Sequence, residues 1–157
     1  MVELLIVIAI IAIGAALVAV ALPDAEATRL EEEGERLTAL LEMARAESRV
    51  LGMAVHWVPR NDADAVRDTG DGPAVHFRFV GLPATLALPT RWLDPRVSAQ
   101  VVGARSLVLG PSAILPAQRV VLQLADRRLE LLSDGLGPFA VAVAVADATG
   151  AATAPPR

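Results

Sequence analysis

Residues 3–22 have the sequence ELLIVIAIIAIGAALVAVAL, in which a single carboxylate, Glu3, heads nineteen residues without a charge. An α-helix of about 20 residues crosses the roughly 30 Å of hydrocarbon in a bilayer. Because a carboxylate at that depth is costly, Glu3 is expected to have a partner and a function. No Arg, Lys or His precedes Arg29. Its cation is therefore expected on another subunit, or else the chain as given begins inside its own polar flank.

The first fourteen residues, MVELLIVIAIIAIG, resemble the start of a type IV pilin or a type II secretion pseudopilin. In that family a basic leader is removed, the new N-terminal residue is methylated, and a Glu a few residues later heads the apolar helix. The resemblance implies that Glu3 is that Glu and pairs with the terminal amine of a neighbouring subunit. It also implies that Met1 lies slightly inside the mature N-terminus and that the apolar helix packs among its neighbours. The helix-interface residues implied in this way are Leu4, Leu5, Val7, Ile8 and Ile11.

The same run has a second interpretation, as a signal peptide or a plain membrane anchor. A secretory signal has a basic start, an apolar core of about 7 to 15 residues and a small-x-small cleavage site. Residues 19–21, Ala-Val-Ala, satisfy the last requirement. The run is longer than such a core, begins with an acid and leads directly into helix-favouring sequence, which favours the pilin-like interpretation.

Composition predicts one modest domain after the apolar run, because about 130 residues are enough for one small core. The chain has no cysteine, which excludes disulfides and thiolate metal sites. Residues 24–53 hold eight acids and four Arg, whereas residues 54–157 hold nine acids and ten Arg. This nearly neutral second part lacks the dense basic surface that binds phosphate, so no nucleic acid partner is expected.

An amphipathic helix is predicted over residues 24–53. Pro23 followed by Asp24 indicates a kink or a restart after the apolar run. Thr28 and Glu31 have the spacing of a capping box, and Gly52 is a plausible stop. Apolar and small residues recur at steps of three, four and seven along one face. They are Leu30, Leu37, Leu41, Ala44, Ser48 and Leu51.

The opposite face of this helix is predicted to be charged. Glu32 with Arg36, and Glu42 with Arg45, have spacings that place opposite charges side by side on an exposed surface. The apolar face must then cover something else, and the rest of the sequence indicates a sheet.

Alternating apolar residues predict strands in a head that spans residues 54–146. The segments are residues 54–58, 74–80, 99–102, 106–109, 119–124, 127–132 and 139–146. Residues 124–127 predict a tight connection between two of them. The tail, residues 147–157, is rich in Ala, Thr and Pro and is expected to be disordered. The predicted class is α+β, with a long N-terminal helix, transmembrane over residues 1–23 and then amphipathic, on an antiparallel sheet, as in pilins.

Two later segments resemble the H-type minor pseudopilins of type II secretion, a group that includes FimT-like minor pilins. They are residues 36–48, RLTALLEMARAES, and residues 132–139, LSDGLGPF. The resemblance implies a non-enzymatic subunit of the secretion pseudopilus, without a cofactor, anchored in the inner membrane with its head in the periplasm. The partners implied are other minor pseudopilins, the major pseudopilin, the inner-membrane secretion platform, prepilin peptidase and membrane lipid.

Two other functions remain open. A FimT-like minor type IV pilin for pilus assembly or DNA uptake predicts clustered basic residues, for which Arg119, Arg127 and Arg128 are candidates. A membrane-anchored periplasmic binding domain that acts alone predicts that Glu3 is dispensable.

Chemical motifs give little support for catalysis. Residues 68–70, Asp-Thr-Gly, match an aspartic-protease signature but lie in a polar loop without a second copy. The Asp-rich residues 61–71 do not have the EF-hand spacing, which leaves calcium binding an open question and favours a solvated loop. His56 and His76 are expected as exposed neighbours and no metal site is expected.

Trp92 is the one aromatic residue that the sequence singles out as a candidate partner contact. It lies between prolines in a predicted loop, with Arg91 and Arg96 close by in the chain. Trp and Arg together are a common composition of interface hot spots. The alternative is that Trp92 fills the core, as aromatic residues generally do in small domains.

Overall fold

The protein has an α+β fold in the computed structural model, which describes residues 3, 6–8, 24–60 and 75–142. Over these residues a helix, α1 (Ala25–Leu51), accompanies two antiparallel sheets. The strands are β1 (His56–Pro59), β2 (Phe77–Val80), β3 (Ser98–Val101), β4 (Leu107–Val108), β5 (Gln118–Leu124), β6 (Arg127–Ser133) and β7 (Ala140–Ala142). The first sheet has the order β2-β1-β4 and the second the order β3-β5-β6-β7. The predicted α+β class is thus confirmed.

Asp24 caps the N-terminus of α1, and the predicted capping box at Thr28 is wrong. One carboxylate oxygen of Asp24 accepts hydrogen bonds from the amides of Glu26 and Ala27, both at 3.1 Å. Thr28 lies inside the first turn, where its hydroxyl donates to the Asp24 carbonyl at 3.2 Å. Asp is as good a cap as Thr and stands four residues earlier, so the helix begins there. At the other end Gly52 adopts φ +65°, which confirms the predicted stop.

The predicted apolar face of α1 packs on strands β5 and β6. Leu30, Leu37, Leu41, Ala44 and Ser48 are all buried there. Leu51 is 38 % exposed, because the helix ends at this residue and its last turn extends beyond the sheet.

Gly34 lies at the closest approach of α1 to β6. A Cβ atom added to this residue would stand 2.3 Å from the Leu129 Cδ2 atom. A side chain at this position would therefore require the Leu129 side chain to shift.

The seven predicted strands are found, with shorter bounds at several ends. β5 and β6 alternate buried and exposed residues, so their inner faces form the core under α1. The predicted tight connection is confirmed by the pairing of Leu124 with Arg127, with Ala125 at φ +50°. Residues 143–146 of the last predicted strand lie outside the described residues, as do the tail and the Asp-rich segment.

A side chain joins the two sheets. The Gln118 amide nitrogen donates to the Val108 carbonyl at 2.9 Å, and its oxygen accepts from the Val108 amide at 2.7 Å. Gln118 begins β5 of the second sheet and Val108 ends β4 of the first. The side-chain amide of Gln118 thus makes the pair of hydrogen bonds that the backbone of a neighbouring strand would make with β4.

The turn that follows β6 is held by Arg45 of α1, which is buried rather than on the exposed surface predicted for it. Its guanidinium donates to the carbonyls of Gly137 at 2.6 Å, Gly135 at 3.2 Å and Leu136 at 3.4 Å. The expected contact with Glu42 is present at 3.9 Å. Arg45 thereby connects α1 directly to the segment that leads into β7.

Most of the predicted membrane run lies outside the described residues. Glu3, Ile6, Val7 and Ile8 are helical and exposed. Within the described residues, none of the helices has the length and apolarity required to cross a membrane.

Candidate functional site

The segment of residues 90–97 between β2 and β3 contains the three predicted partner-contact residues, and a buried carboxylate anchors it to α1. Glu33 is 1 % exposed. Its Oε1 atom accepts hydrogen bonds from the amide of Leu93 and, at 3.1 Å, from the amide of Asp94. A buried carboxylate is tolerated only when such donors replace its water, so Glu33 fixes the position of this segment.

Arg36 completes this anchor one turn further along α1. Its guanidinium lies 3.3 Å from Oε2 of Glu33 and donates to the Arg91 carbonyl at 3.0 Å. The Glu33 charge is therefore balanced by a partly buried cation, and the same cation binds the start of the segment.

Trp92 faces inward, as its alternative interpretation predicts. It is 7 % exposed and packs on Phe77, with 4.6 Å between the ring centroids. Its amide donates to Nδ1 of His76 at 2.9 Å. The indole thus contributes to the core of this chain, and a partner at this place would first meet the exposed Arg91, Leu93 and Arg96.

Arg96 lies on the surface and forms a tight ion pair with Asp94. Two guanidinium nitrogens of Arg96 contact the carboxylate, at 2.7 and 3.1 Å, and Arg29 of α1 lies 3.7 Å away. The hydrogen bonds from the Arg96 side chain and amide lower the pKa of Asp94 to about 2. The same contacts raise the pKa of Arg96. The pair fixes Arg96 against the end of the segment.

A cleft of about 470 Å³ separates this segment from α1. Its lining residues are Arg29, Glu32, Glu33, Leu93, Asp94, Pro95 and Arg96. Leu93 is 66 % exposed beside it. The lining of the cleft combines the aliphatic side chains of Leu93 and Pro95 with the ion-paired Arg29, Asp94 and Arg96.

Comparison with known proteins gives no relative. The chain matches no family model, no curated protein and no solved structure. Any functional assignment therefore depends on the chain's own residues and their geometry.

The remaining predicted residues fall into two groups. Glu3, Val7 and Ile8 are helical and exposed, while Leu4, Leu5 and Ile11 lie outside the described residues. The predicted helix interface therefore stays a prediction.

The two histidines are not the exposed neighbours that the sequence predicts. His56 pairs with Val80, whereas the His76 carbonyl accepts from the Arg60 amide at the other end of the β1–β2 ladder. The His76 ring is occupied by the Trp92 amide. Across the described ranges no group of three His, Cys, Asp or Glu residues is arranged to hold a metal.

The three candidate basic residues of the head do not form an unopposed cluster. Arg127 lies 2.5 Å from the Asp24 carboxylate and Arg119 lies 3.7 Å from Glu130. Arg128 is exposed on the outer face of β6. Acidic neighbours of this kind weaken the field that attracts a phosphate backbone.

Sequence reasoning missed Glu33 and Arg45 as structural anchors, although a signal for both was present. Glu33 follows Leu30 by three residues, and Arg45 follows Leu41 by four, so both fall within the apolar face of α1. A charge at such a position is expected to have a buried partner.

Proposed function

We propose that the chain is a minor pseudopilin of the H type, a non-enzymatic structural subunit of a type II secretion pseudopilus. Its role is to help export folded proteins across the outer membrane, by initiating or capping the short periplasmic fibre. The observation that carries the proposal is Glu3 at the head of nineteen uncharged residues. The apolar helix sits in the inner membrane before assembly, and the α+β head lies in the periplasm.

The proposed work of Glu3 is to set the register between subunits. Helices that leave the bilayer for a bundle exchange lipid contacts for protein contacts, which distinguishes poorly among neighbouring registers. An ion pair between Glu3 and the terminal amine of the next subunit selects one of them, because any other register leaves a charge unpaired in an apolar environment.

The outward face of α1 supports a subunit that packs among other helices. Ala39, Met43, Ala46 and Val50 recur at steps of four, three and four and are all exposed. Met43 is 51 % exposed and Val50 is 79 % exposed. An apolar stripe at this spacing on the side of α1 away from its own sheet is typical of a helix–helix contact.

The contact between α1 and the 133–139 turn supports the same proposal. Residues 36–48 and 132–139 are the two segments of the head that resemble H-type minor pseudopilins, and they are distant in the chain. Arg45 and Gly137 connect them through a hydrogen bond of 2.6 Å. The resemblance therefore concerns one connected part of the molecule rather than two unrelated stretches.

Mass spectrometry of the N-terminal peptide of the protein made from its native locus tests the proposal. We expect an N-methylated residue just upstream of Val2 and Glu3. An unmodified chain that starts at Met1, or one cut after Ala21, overturns the proposal and leaves an ordinary anchored or secreted domain.

Two substitutions test the role of Glu3 in assembly. Glu3→Ala is expected to remove the chain from cross-linked complexes with the other pseudopilins, while Glu35→Ala, on the exposed face of α1, leaves them intact. Full function of Glu3→Ala without an assembly defect would instead support the binding domain that acts alone. Salt-sensitive binding of duplex DNA by the full chain would support the FimT-like pilin.

A further inference from the structure

Residues 90–94 are held against the rest of the fold at both ends. The Thr90 carbonyl accepts from the amides of His76 and Phe77, the Arg91 carbonyl accepts from Arg36, and two side chains from different elements accept from amides of the segment. Nδ1 of His76, the residue before β2, accepts the Trp92 amide at 2.9 Å. The Glu33 carboxylate of α1 accepts the amides of Leu93 and Asp94. The His76 contact exists only while Nδ1 carries no proton, since the Trp92 amide can only donate.

The His76 contact requires a neutral imidazole. A backbone amide only donates, so Nδ1 must carry a lone pair and the ring proton must reside on Nε2. When Nδ1 takes up a proton, both ring nitrogens become donors and the hydrogen bond to Trp92 is lost. The Trp92 amide is then left unpaired in a partly buried place, which disfavours the closed position of the segment.

The charges around His76 oppose its protonation. Arg91 belongs to the held segment, Arg36 binds the Arg91 carbonyl, and the Arg60 amide donates to the His76 carbonyl at 2.8 Å. Burial of the ring, followed by repulsion from Arg91, lowers the pKa of His76 below its ordinary value of 6.5. Glu33 acts in the opposite direction. Among the described residues, Arg91 is thus the cation that acts on the ring and Glu33 is the carboxylate.

We propose that residues 90–94 form a proton-operated latch, which is closed while His76 is neutral and opens when Nδ1 of His76 takes up a proton. Opening moves the Trp92 amide off His76 and the indole off Phe77. Glu33 continues to hold Leu93 and Asp94, and the carbonyls of Thr90 and Arg91 keep their donors, so the movement is confined to Trp92. The latch does not depend on the proposed secretion function, because it uses only contacts within this chain.

The consequence of opening is a change in the surface that the segment presents. In the closed state Trp92 is 7 % exposed and contributes to the core. In the open state the indole lies on the surface beside Arg91 and Leu93. It adds a large aromatic group, which the surface of the closed state lacks. Acidification therefore creates a surface suited to a protein partner.

Nuclear magnetic resonance of the full ¹⁵N-labelled chain in a detergent micelle tests the latch. Between pH 7.5 and pH 5 we expect the protection of the Trp92 amide, corrected for intrinsic exchange, to fall by at least about fivefold. The midpoint should coincide with the titration of His76, and the protection of the amides of β5 should not change. Constant protection of the Trp92 amide over this range overturns the proposal.

Two substitutions separate the latch from a general response to acid. In His76→Asn, the amide oxygen occupies nearly the place of Nδ1 and accepts at every pH, so the protection of Trp92 should become independent of pH. Arg91→Gln removes the nearest cation and should move the midpoint to higher pH, while Arg105→Gln, exposed on another loop, should leave it unchanged. A pH response that survives in His76→Asn, or an unmoved midpoint in Arg91→Gln, overturns the proposal. Because Arg91 is exposed, Arg91→Gln is expected to fold. Arg91→Gln and its control Arg105→Gln therefore test the latch even if His76→Asn fails to fold.

Discussion

The Arg45 guanidinium donates to the Gly137 carbonyl at 2.6 Å, across 92 residues of sequence. The same guanidinium also reaches the carbonyls of Gly135 and Leu136. Carbonyls in a tight turn cannot pair with each other, so a buried multivalent donor is an effective way to satisfy them. The turn itself is shaped by Asp134, whose carboxylate accepts from the amides of Leu136 and Gly137.

Arg45→Met tests this contact. The methionine fills most of the volume but removes a buried charged donor from three carbonyls, of which Gly135 keeps the Leu115 amide and Gly137 keeps the Ser133 hydroxyl. We therefore expect a loss of about 1–3 kcal/mol in the free energy of unfolding. Urea denaturation measures it. Arg49→Met, one turn later on the exposed side of α1, is the matched control and should cost less than about 1 kcal/mol. Equal losses of unfolding free energy in the two variants would contradict the role of Arg45 in holding this turn.

Gly34→Val tests the close approach of α1 to β6. A Cβ at this position stands 2.3 Å from Leu129, which is itself 1 % exposed and has little room to move. Overpacking of this kind costs about 1–3 kcal/mol, and thermal denaturation measures it. Ala39→Val, on the exposed face of the same helix, measures only the lower helix propensity of valine. It should cost less than about 1 kcal/mol in the free energy of unfolding. A Gly34→Val protein as stable as this control would show that Leu129 can shift at no cost and that the close approach does not constrain this position.

Glu33→Ala tests the anchor of residues 90–94. It removes the acceptor of two amides and leaves Arg36 partly buried without its carboxylate, so we expect a loss of about 2–4 kcal/mol. Hydrogen exchange at the Leu93 and Asp94 amides should accelerate more than exchange in β5. Glu32→Ala, its exposed neighbour in the same turn, should change neither quantity measurably. Unchanged hydrogen exchange at the Leu93 and Asp94 amides in Glu33→Ala would contradict the role of Glu33 as the anchor of this segment.

Alternation and helical spacing were sufficient to predict the class of the fold and the approximate place of every described strand. β5 and β6 illustrate why, since each alternates residues between a core face and a solvent face, and this period of two is visible in the sequence. The buried face of α1 was predicted for the same reason. These features depend on local spacing, which a single sequence contains.

The anchors of the candidate site depend on distance in space and could not be predicted in the same way. The Glu33 carboxylate meets the Asp94 amide 61 residues away, and Arg45 meets Gly137 after 92. Their partners are backbone groups, which every residue carries, so no residue type indicates the contact. His76 and Trp92 are only 16 residues apart, yet their bond depends on a loop that returns to β2. The N-cap at Asp24 was missed for a simpler reason, because Asp24 and Thr28 are both residue types that cap helices.

Asp94→Asn is expected to lose less stability than the unmodified chain as the pH falls. Hydrogen bonds from Arg96 lower the pKa of Asp94 to about 2, against an ordinary value of 3.8. Because the folded state holds the charged form more tightly than the unfolded state, this stabilisation is complete above pH 3.8. It is lost as the pH falls from 3.8 towards 2. Urea midpoints measured at intervals from pH 5 to pH 2 should fall less steeply in Asp94→Asn than in the unmodified chain.

Only part of the slope should disappear, because backbone hydrogen bonds also lower the pKa of Asp24 and of Asp134, which lose their stabilisation as the pH falls below 3.8. Asp126→Asn, at the exposed turn between β5 and β6, is the matched control and should retain the full slope. If Asp94→Asn and Asp126→Asn give the same dependence on pH, the Asp94–Arg96 pair contributes nothing to stability. The segment would then be held by its other contacts, which include those with Glu33, His76 and Arg36.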